Sequence, residues 1–393
     1  MKRLITIFSF FLASLTLMDA QELNNFAFWG GQKPIVSPEI TQDSVTFRLK
    51  ADYATIVKLS GSWMENPWFG TIDMKRGENN VWSVTIPLPE PEIYTYNFVV
   101  DGVNVNDPQN VLVQRDGTRY LPMLLVPGER TENYGESKSQ HGTISHPWYE
   151  SKILGMNRRL TVYTPYGYEA NPKKKYPVLY LLHGAGGDEE AWISMGRTAQ
   201  ILDNLIEKGL AEPMIVVMPN GNANQAAART LNIPEKQMQM RWDREALAQM
   251  SEAERNLLMN GYVMSLCEEI VPFIEKNFRA IPKPASRAIA GLSMGGGHTI
   301  SASNLYPEMF DYICPLSAAG SSTPEQIATL KKAGVKLYFL ACGNTDFLFK
   351  GAEEMHAKLN EQGLDHEYFV SEGGHVWSNW RLYLNTFAQK LFK

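Results

Sequence analysis

The sequence predicts two folded domains, an all-β sandwich followed by an α/β domain with a central, mostly parallel sheet and helices on both faces. Three observations predict this arrangement. Apolar residues alternate with polar ones over residues 25–127, whereas near-continuous apolar runs separated by helical stretches fill residues 141–393. Between them, residues 128–140 are polar and glycine-containing, which is typical of a linker. A chain of 393 residues is long for one domain.

Composition and charge exclude some classes of function. Hydrophobic residues make up 44% and charged residues 20% of the chain, and the net charge is −5. These values are ordinary for a folded protein with a real core. No basic stripe stands out beyond the short run at residues 173–175, so a nucleic-acid partner is not expected.

Residues 1–20 have the layout of a secretory signal peptide. Lys2 and Arg3 precede an apolar run over residues 4–18, and the mature chain is expected to start near Gln21. The run is short for a bilayer span, so export to the periplasm or outside the cell is expected, without a stable membrane anchor. An uncut anchor is the alternative.

Three cysteines, Cys267, Cys314 and Cys342, lie in apolar stretches without a C-x-x-C motif. Three cysteines cannot all pair, so a disulfide scaffold is excluded. Buried small hydrophobes are the better interpretation, and neither a thiolate metal site nor a catalytic cysteine is expected.

In the first domain, period-two alternation predicts half-buried strands around Phe47, Val84 and Phe98. Asp101-Gly102 between two apolar segments indicates a two-residue hairpin turn, because such a turn needs positive φ angles that glycine tolerates. Short strands separated by proline and glycine favour an antiparallel sandwich.

In the second domain, apolar runs predict buried strands at residues 176–182, 214–218, 312–316 and 336–340, with helices such as 198–208 and 264–277 between them. Residues 222–260 break this rhythm, being polar and rich in Gln, Met, Ala and Glu. They follow a strand end, so they are interpreted either as a cap partly lined by Trp242 or as a surface excursion.

The motif Gly291-Leu292-Ser293-Met294-Gly295 follows a buried strand and precedes a small-residue helix start. A serine in a sharp strand-to-helix turn needs small neighbours two residues away, and the turn exposes its Oγ. The helix start also aims free N–H groups at the same point, which suits a developing oxyanion. Ser293 is therefore the candidate nucleophile.

A base and an acid follow in the chain order Ser, acid, His that such sites use. His375 alone among the seven histidines combines a late position, a loop and flanking glycines. Asp346 follows a buried strand and is preferred as the acid that orients His375, with Asp365 and Glu372 as competitors.

The glycine-rich turn at residues 183–187 follows another buried strand and is expected to supply half of an oxyanion hole. The Met294 N–H is one predicted donor, and the N–H of Ala185 or Gly184 is the second. A phosphate-binding loop is a poor alternative, because the turn lacks the Lys-Ser/Thr ending.

Five blocks of residues 141–393 together resemble the family-1 carbohydrate esterases, which are feruloyl and acetylxylan esterases of the α/β-hydrolase fold related to enterobactin-type esterases. The blocks are YPVLYLLHGAGGDEEAW, PMIVVMPNG, RAIAGLSMGGG, FLACGNTD and GGHVWSNWR. The resemblance implies that Ser293, Asp346 and His375 are nucleophile, acid and base, in agreement with the motifs.

The first domain resembles immunoglobulin-like carbohydrate-binding modules of the family-48 type, through LSGSWMENPWFGTIDM, NNVWSVTIPLPEPEIYTYNFVVDGV and NDPQN. Sugar stacking on Trp63, Trp68 and Phe69 is what that resemblance implies. The alternative is that these aromatics close the domain core or the domain interface.

The leading hypothesis is a secreted serine esterase that removes feruloyl groups from arabinoxylan, with no cofactor or metal. A ferulate ring needs an apolar slot, for which Trp377, Trp192 or the 222–260 segment are the candidates. The alternatives are an acetylxylan esterase with the same triad, a siderophore esterase with a cationic-lined cleft, or a glycan-binding protein whose hydrolase domain is inert. Oligomeric state does not follow from the sequence.

Overall fold

The computed structural model describes residues 35–65, 70–117, 119–222, 249–318 and 320–393. The predicted signal peptide and most of the 222–260 segment, with Trp242, lie outside these residues, as do Trp68 and Phe69. No helix in the described ranges has the length and apolar character needed to cross a membrane.

The first domain is all-β, as predicted, and its two antiparallel sheets share one core. One sheet has the order β1-β2-β6-β5, and the other has the order β4-β3-β7-β10-β9 with β8 paired to β7. The strands are β1 (Glu39–Ile40), β2 (Ser44–Lys50), β3 (Val57–Gly61), β4 (Ile72–Asp73), β5 (Lys75–Arg76), β6 (Val81–Pro87), β7 (Ile93–Val100), β8 (Val103–Val105), β9 (Val113–Asp116) and β10 (Arg119–Leu125).

The hairpin predicted at Asp101-Gly102 is confirmed between β7 and β8. Both residues have positive φ, 47° at Asp101 and 88° at Gly102, as the tight turn requires. The Asp101 carboxylate also accepts hydrogen bonds from the N–H groups of Thr55 and Ile56, which fixes the turn against the neighbouring loop.

Residues 128–140, predicted as a linker, pack along the second domain. Tyr134 is fully buried, and its carbonyl accepts a hydrogen bond from Arg197 Nε at 3.0 Å. Asn133 donates to Asn385 Oδ1 at 2.8 Å. Polar composition gave no sign of this packing, because its partners lie more than sixty residues away.

The second domain has the α/β-hydrolase fold. Its sheet has the order β11-β13-β15-β14-β16-β17-β18-β19, with β12 paired to β13, and is parallel from β15 to β19. The strands are β11 (Thr143–Ser145), β12 (Trp148–Ser151), β13 (Met156–Thr164), β14 (Val178–Leu182), β15 (Ile215–Pro219), β16 (Arg287–Leu292), β17 (Tyr312–Leu316), β18 (Leu337–Gly343) and β19 (Glu367–Ser371).

Helices cover both faces of this sheet, each face with its own apolar core. The central strands β14 and β17 are buried along their whole length, and β16 is buried from Ala288 onwards, which explains their near-continuous apolar sequence. The helices are α1 (Ala191–Ser194), α2 (Thr198–Glu207), α3 (Glu252–Ser265), α4 (Val271–Asn277), α5 (Met294–Leu305), α6 (Pro324–Ala333), α7 (Phe349–Gln362) and α8 (Trp377–Phe387).

The two domains share buried contacts. Ile93 of β7 and Met123 of β10 belong to the same apolar cluster as Trp380 of α8. Beside them, Arg381 is 2% exposed and donates to Glu92 Oε1 at 2.8 Å. Apolar packing and a buried ion pair therefore fix the first domain on the helix that follows His375.

Candidate active site

Ser293 lies at the turn between β16 and α5, as predicted. Its backbone has φ 53° and ψ −113°, a conformation that costs a residue with a Cβ about 1–3 kcal/mol. The surrounding fold holds this strain, because the Ser293 N–H donates to the Leu316 carbonyl at 2.9 Å. A strained serine at a strand-to-helix turn is the geometry that exposes a nucleophilic hydroxyl.

The two glycines of the motif are required by close backbone packing. A Cβ at Gly291 would lie 2.3 Å from the Gly295 carbonyl oxygen, and a Cβ at Gly295 would lie 2.5 Å from that of Leu182. No side chain fits at either position. The spacing of the motif thus follows from the tightness of this turn.

His375 lies in the loop between β19 and α8 and is hydrogen-bonded to Asp346. Its Nδ1 is 2.8 Å from Asp346 Oδ2 and 3.1 Å from Oδ1. The Asp346 side chain is fully buried, and its Oδ1 also accepts the Leu348 N–H at 2.9 Å. The competing acids Asp365 and Glu372 are exposed, so Asp346 is the carboxylate that orients the imidazole.

Two aromatic rings pack against the His375 ring. Trp380 meets it edge to face with centroids 4.9 Å apart, and Phe347 lies at 4.5 Å. Trp380 is itself fixed by a hydrogen bond from its Nε1 to Ser317 Oγ. Neither residue was predicted to lie at the site, although Phe347 directly follows the predicted acid Asp346.

Ser293 and His375 line the same cavity, which has a volume of about 520 Å³. Within the described residues, no hydrogen bond joins the Ser293 hydroxyl to the His375 ring. Such contacts are often long in free enzymes and tighten in the Michaelis complex. The cavity therefore brings the candidate nucleophile Ser293 and the candidate base His375 to one site, with Asp346 behind the imidazole.

The glycine-rich turn after β14 lies against the nucleophile. Residues 184–187 line the cavity, and a Cβ at Gly184 would be 3.3 Å from Ser293 Cβ. Predicted donors Gly184 and Ala185 thus lie beside the serine. Met294, which supplies the other predicted donor, is the first residue of α5, where the backbone N–H has no intrahelical acceptor.

His183 holds this turn in place. Its ring Nε2 accepts the Gly221 N–H at 2.7 Å, so the proton resides on Nδ1, which donates to the Gly184 carbonyl at 2.7 Å. Burial lowers the pKa of His183, which keeps the imidazole neutral. His183 is therefore a positioning residue for the oxyanion turn.

Asp188 anchors the other end of the turn to the first domain. Arg115 of β9 binds it through two parallel hydrogen bonds, Nη1 to Oδ2 at 2.8 Å and Nη2 to Oδ1 at 2.6 Å. Burial raises the pKa of the Asp188 carboxyl, but hydrogen bonds from Arg115 and the Glu190 N–H outweigh burial and hold its pKa below the ordinary value.

The remaining cavity wall differs in part from expectation. Trp377 lines the cavity with Trp380 and Met195. Trp192, predicted to contact substrate, is 1% exposed, donates from Nε1 to the Leu182 carbonyl and packs edge to face on Trp377 at 5.2 Å. That prediction was wrong, because Trp192 supports the wall from behind.

Trp63 does not form an exposed platform for a sugar. It stacks on Phe47 with centroids 5.5 Å apart and meets Tyr94 edge to face, so it closes the core of the first domain. The structure therefore favours the alternative interpretation for Trp63.

The three cysteines are free and buried, and burial raises the pKa of each thiol. Within the described ranges, no group of three or more His, Cys, Asp or Glu side chains has the geometry to hold a metal ion.

Comparison with protein families gives a match to the putative esterase family over residues 151–334. A xylanase/feruloyl esterase from Xylanibacter ruminicola is 33% identical over 332 residues, which are 82% of this chain and 42% of that protein. The chain thus spans less than half the length of this curated relative.

Two kinds of solved structure are similar. A ferulic acid esterase, 28% identical, matches 64% of this chain and 98% of its own with a TM-score of 0.50. The enterobactin esterase of Shigella flexneri, 15% identical, matches 93% of this chain and 97% of its own with a TM-score of 0.60. The second likeness is one of fold alone, and it extends over both domains.

Proposed function

We propose that this chain is a serine carboxylesterase that removes feruloyl groups from arabinoxylan, and the match of residues 151–334 to the putative esterase family supports this. The observation that carries the proposal is the common cavity of Ser293, His375 and the glycine-rich turn, closed by Trp377, Trp380 and Met195. Its volume of about 520 Å³ lies within the usual range of small-molecule sites.

In the proposed reaction, Ser293 Oγ attacks the acyl carbonyl while His375 Nε2 takes the hydroxyl proton. The N–H groups of Met294 and Ala185 stabilise the tetrahedral oxyanion. His375 then returns the proton to the sugar oxygen, the ester C–O bond breaks, and the acyl group remains on Ser293. Water, deprotonated by His375, then attacks the acyl carbonyl, the bond to Ser293 Oγ breaks, and His375 returns the proton to Ser293 Oγ as the acid leaves. Asp346 stabilises the imidazolium without taking its proton.

The aromatic wall supports a hydroxycinnamoyl rather than an acetyl group. Trp377 and Trp380 lie perpendicular to each other with centroids 5.1 Å apart, and Met195 adds a flexible apolar surface. A flat phenolic ring gains dispersion and edge-to-face contacts from such a wall. An acetyl group is too small to use it, so an acetylxylan esterase is the second candidate.

Charge argues against a siderophore substrate. Among the described residues that line the cavity, none is Lys or Arg, whereas Asp116 contributes a carboxylate. Asp116 is paired with Arg119 at 2.6 Å, so the described lining offers no unpaired cation to attract an anionic iron complex, whereas a neutral glycan ester needs none. The absence of Lys and Arg from the described lining supports a neutral polysaccharide ester of the plant cell wall as substrate. The charged start and apolar run of residues 1–20 support export of the enzyme.

The test is product analysis after incubation of the purified protein with native, still acylated arabinoxylan. We expect released ferulate, and acetate in a smaller amount. Release of acetate without ferulate, together with turnover of phenyl acetate but not of methyl ferulate, would replace the feruloyl assignment by the acetyl one. No released acid of either kind would refute the esterase.

A further inference from the structure

Two strands of the first domain reach the active-site cavity, β7 near its start and β9 at its end. Thr95 of β7 and Asp116 at the end of β9 line it together with Ser293 and His375. Both lie more than 170 residues before the nucleophile in the sequence. The cavity is thus a site between domains, and its wall is incomplete without the first domain.

This part of the wall is fixed in place. The residue next to Asp116 is Arg115, whose side chain binds Asp188 bidentately and whose N–H donates to Ser194 Oγ on α1. The side chains of Arg115 and Asp188 are only 19% and 9% exposed. Bidentate pairs of this kind set geometry as well as affinity. The Arg115–Asp188 pair therefore fixes the end of β9 against the glycine-rich turn.

The opposite edge of the interface is fixed in the same way. Arg381, on the helix that follows His375, donates to Glu92 next to the start of β7 and to the Met195 carbonyl. Thr95 lies on that same strand, three residues after Glu92. Two interdomain ion pairs therefore bracket the cavity, one on the oxyanion side and one on the histidine side.

The chemistry of this wall differs from that of the rest of the cavity. Trp377, Trp380 and Met195 are apolar, whereas Thr95 and Asp116 offer a hydroxyl and a carboxylate. A carboxylate accepts hydrogen bonds from neighbouring hydroxyls, and a threonine hydroxyl both donates and accepts. An ester of an aromatic acid with a sugar has an apolar arm and a polyhydroxyl arm, which match the two walls.

We propose that Thr95 and Asp116 form a subsite for the sugar that carries the acyl group, so that the first domain determines specificity from within the active site. This inference rests on the proposed function, since it assigns the alcohol half of the same ester. Asp116 Oδ2 accepts a hydrogen bond from Arg119 Nη2 at 2.6 Å, so in this proposal its Oδ1 accepts a sugar hydroxyl, and Thr95 contributes a further hydrogen bond. Arg115 and Glu92 act as positioning residues that hold this wall against the catalytic domain.

The test compares two esters of one acid, a feruloylated arabinoxylo-oligosaccharide and methyl ferulate. For Asp116→Ala we expect the ratio of kcat/KM for the sugar ester to that for the methyl ester to fall about 10-fold to 100-fold, mainly through KM, as for the loss of a charged hydrogen bond. Asp116→Asn, which keeps one acceptor oxygen, should lower the ratio less, and Thr95→Val by about 3-fold to 10-fold.

Asp73→Asn is the matched control, because Asp73 lies on the same domain with its side chain 81% exposed and paired only at the surface with Lys58. It should leave both the ratio and the unfolding temperature unchanged. An equal fall for both esters after Asp116→Ala would show a structural role and overturn the subsite. An unchanged ratio would overturn it as well.

Failure of the proposed function gives a different result. If the wild-type protein hydrolyses neither ferulate ester, the feruloyl assignment fails, and the same ratio is measured with an acetylated xylo-oligosaccharide and phenyl acetate. Calorimetric titration with the deacylated arabinoxylo-oligosaccharide measures the affinity of the subsite for the sugar without turnover. Weaker binding to Asp116→Ala than to wild type supports the subsite, and equal or undetectable binding to both contradicts it.

Discussion

Single residues at the active site are held by more contacts than their chemistry alone requires. Ser293 keeps an unfavourable backbone conformation, and His375 is fixed by two oxygens of Asp346 and by the ring of Trp380. His183 is fixed through both ring nitrogens. Such preorganisation places donors where charge develops, which is the largest single contribution in many acyl transfers.

Replacing Asp346 tests the acid assignment. Asp346→Asn keeps the shape of the side chain but offers an amide to His375 Nδ1, which favours the wrong tautomer. We expect kcat on phenyl acetate to fall about 10⁴-fold. Asp365→Asn, at an exposed carboxylate outside the cavity, is the control and should retain wild-type turnover. Comparable losses in both variants would contradict the assignment.

The burial of His183 predicts that the folded protein loses stability in acid. Its pKa is lowered in the folded protein by burial, from an ordinary value of 6.5, so the unfolded chain binds the extra proton first. The neutral ring therefore contributes its full stability above pH 6.5, and this contribution is lost as the pH falls from there towards the lowered pKa.

The measurement is the free energy of unfolding of wild type and His183→Asn between pH 8 and pH 5. The variant should be less stable at pH 8, and the difference should narrow below pH 6.5 by up to about 1.4 kcal/mol per pH unit. A difference that stays constant with pH would show that His183 does not titrate in this way.

At the scale of elements, the turn from β16 to α5 determines the site, and β14 runs parallel beside β16. Gly291 and Gly295 allow backbone carbonyls to approach where a Cβ would collide. The order of β14, β16, β17, β18 and β19 in the sheet brings the turns that follow β14, β16, β18 and β19 to one edge. The proposed oxyanion turn, nucleophile, acid and base occupy these four turns.

Alanine substitution at Gly291 tests whether the tight turn requires glycine, by comparison with a glycine that has open space around it. Gly291→Ala should lower kcat at least about 100-fold, because a displacement of 1 Å at the reacting atoms costs that much. Gly351→Ala is the control, since a Cβ there meets nothing within 4 Å, and it should keep both activity and stability. Full activity in Gly291→Ala, measured on phenyl acetate, would contradict the steric argument.

Much of the candidate active site was predictable because its signals are local. The motif around Ser293, the glycine-flanked His375 and the strand-end Asp346 each stand out within a few residues, and chain order links them. Trp192 was assigned wrongly because sequence spacing does not tell which side of a short helix faces the cavity. Thr95 and Asp116 gave no signal, since their role arises from packing between segments far apart in the sequence.

For the whole molecule, a buried interface joins the first domain to the α/β domain. The Glu92–Arg381 pair is nearly fully buried and lies in a continuous apolar cluster that includes Ile93 and Met123. Removing one member of a buried pair leaves a desolvated charge without its partner, which typically costs about 3–5 kcal/mol.

Glu92→Ala should therefore lower the free energy of unfolding by about 3–5 kcal/mol, measured by denaturant titration. The matched control is Glu367→Ala, which removes an exposed ion pair with Lys390 and should cost less than about 1 kcal/mol. Equal effects of the two substitutions would show that the interface pair does not hold the domains together.

An acyl-enzyme at Ser293 is tested most directly by mass spectrometry. The protein reacts briefly with p-nitrophenyl acetate, is quenched in acid, and is then weighed intact and mapped by peptide. We expect one acetyl group on the peptide that contains Ser293, and none in Ser293→Ala, whose turnover should fall about 10⁶-fold. An acetyl group on another residue, or undiminished turnover in Ser293→Ala, would contradict an acyl-enzyme at Ser293.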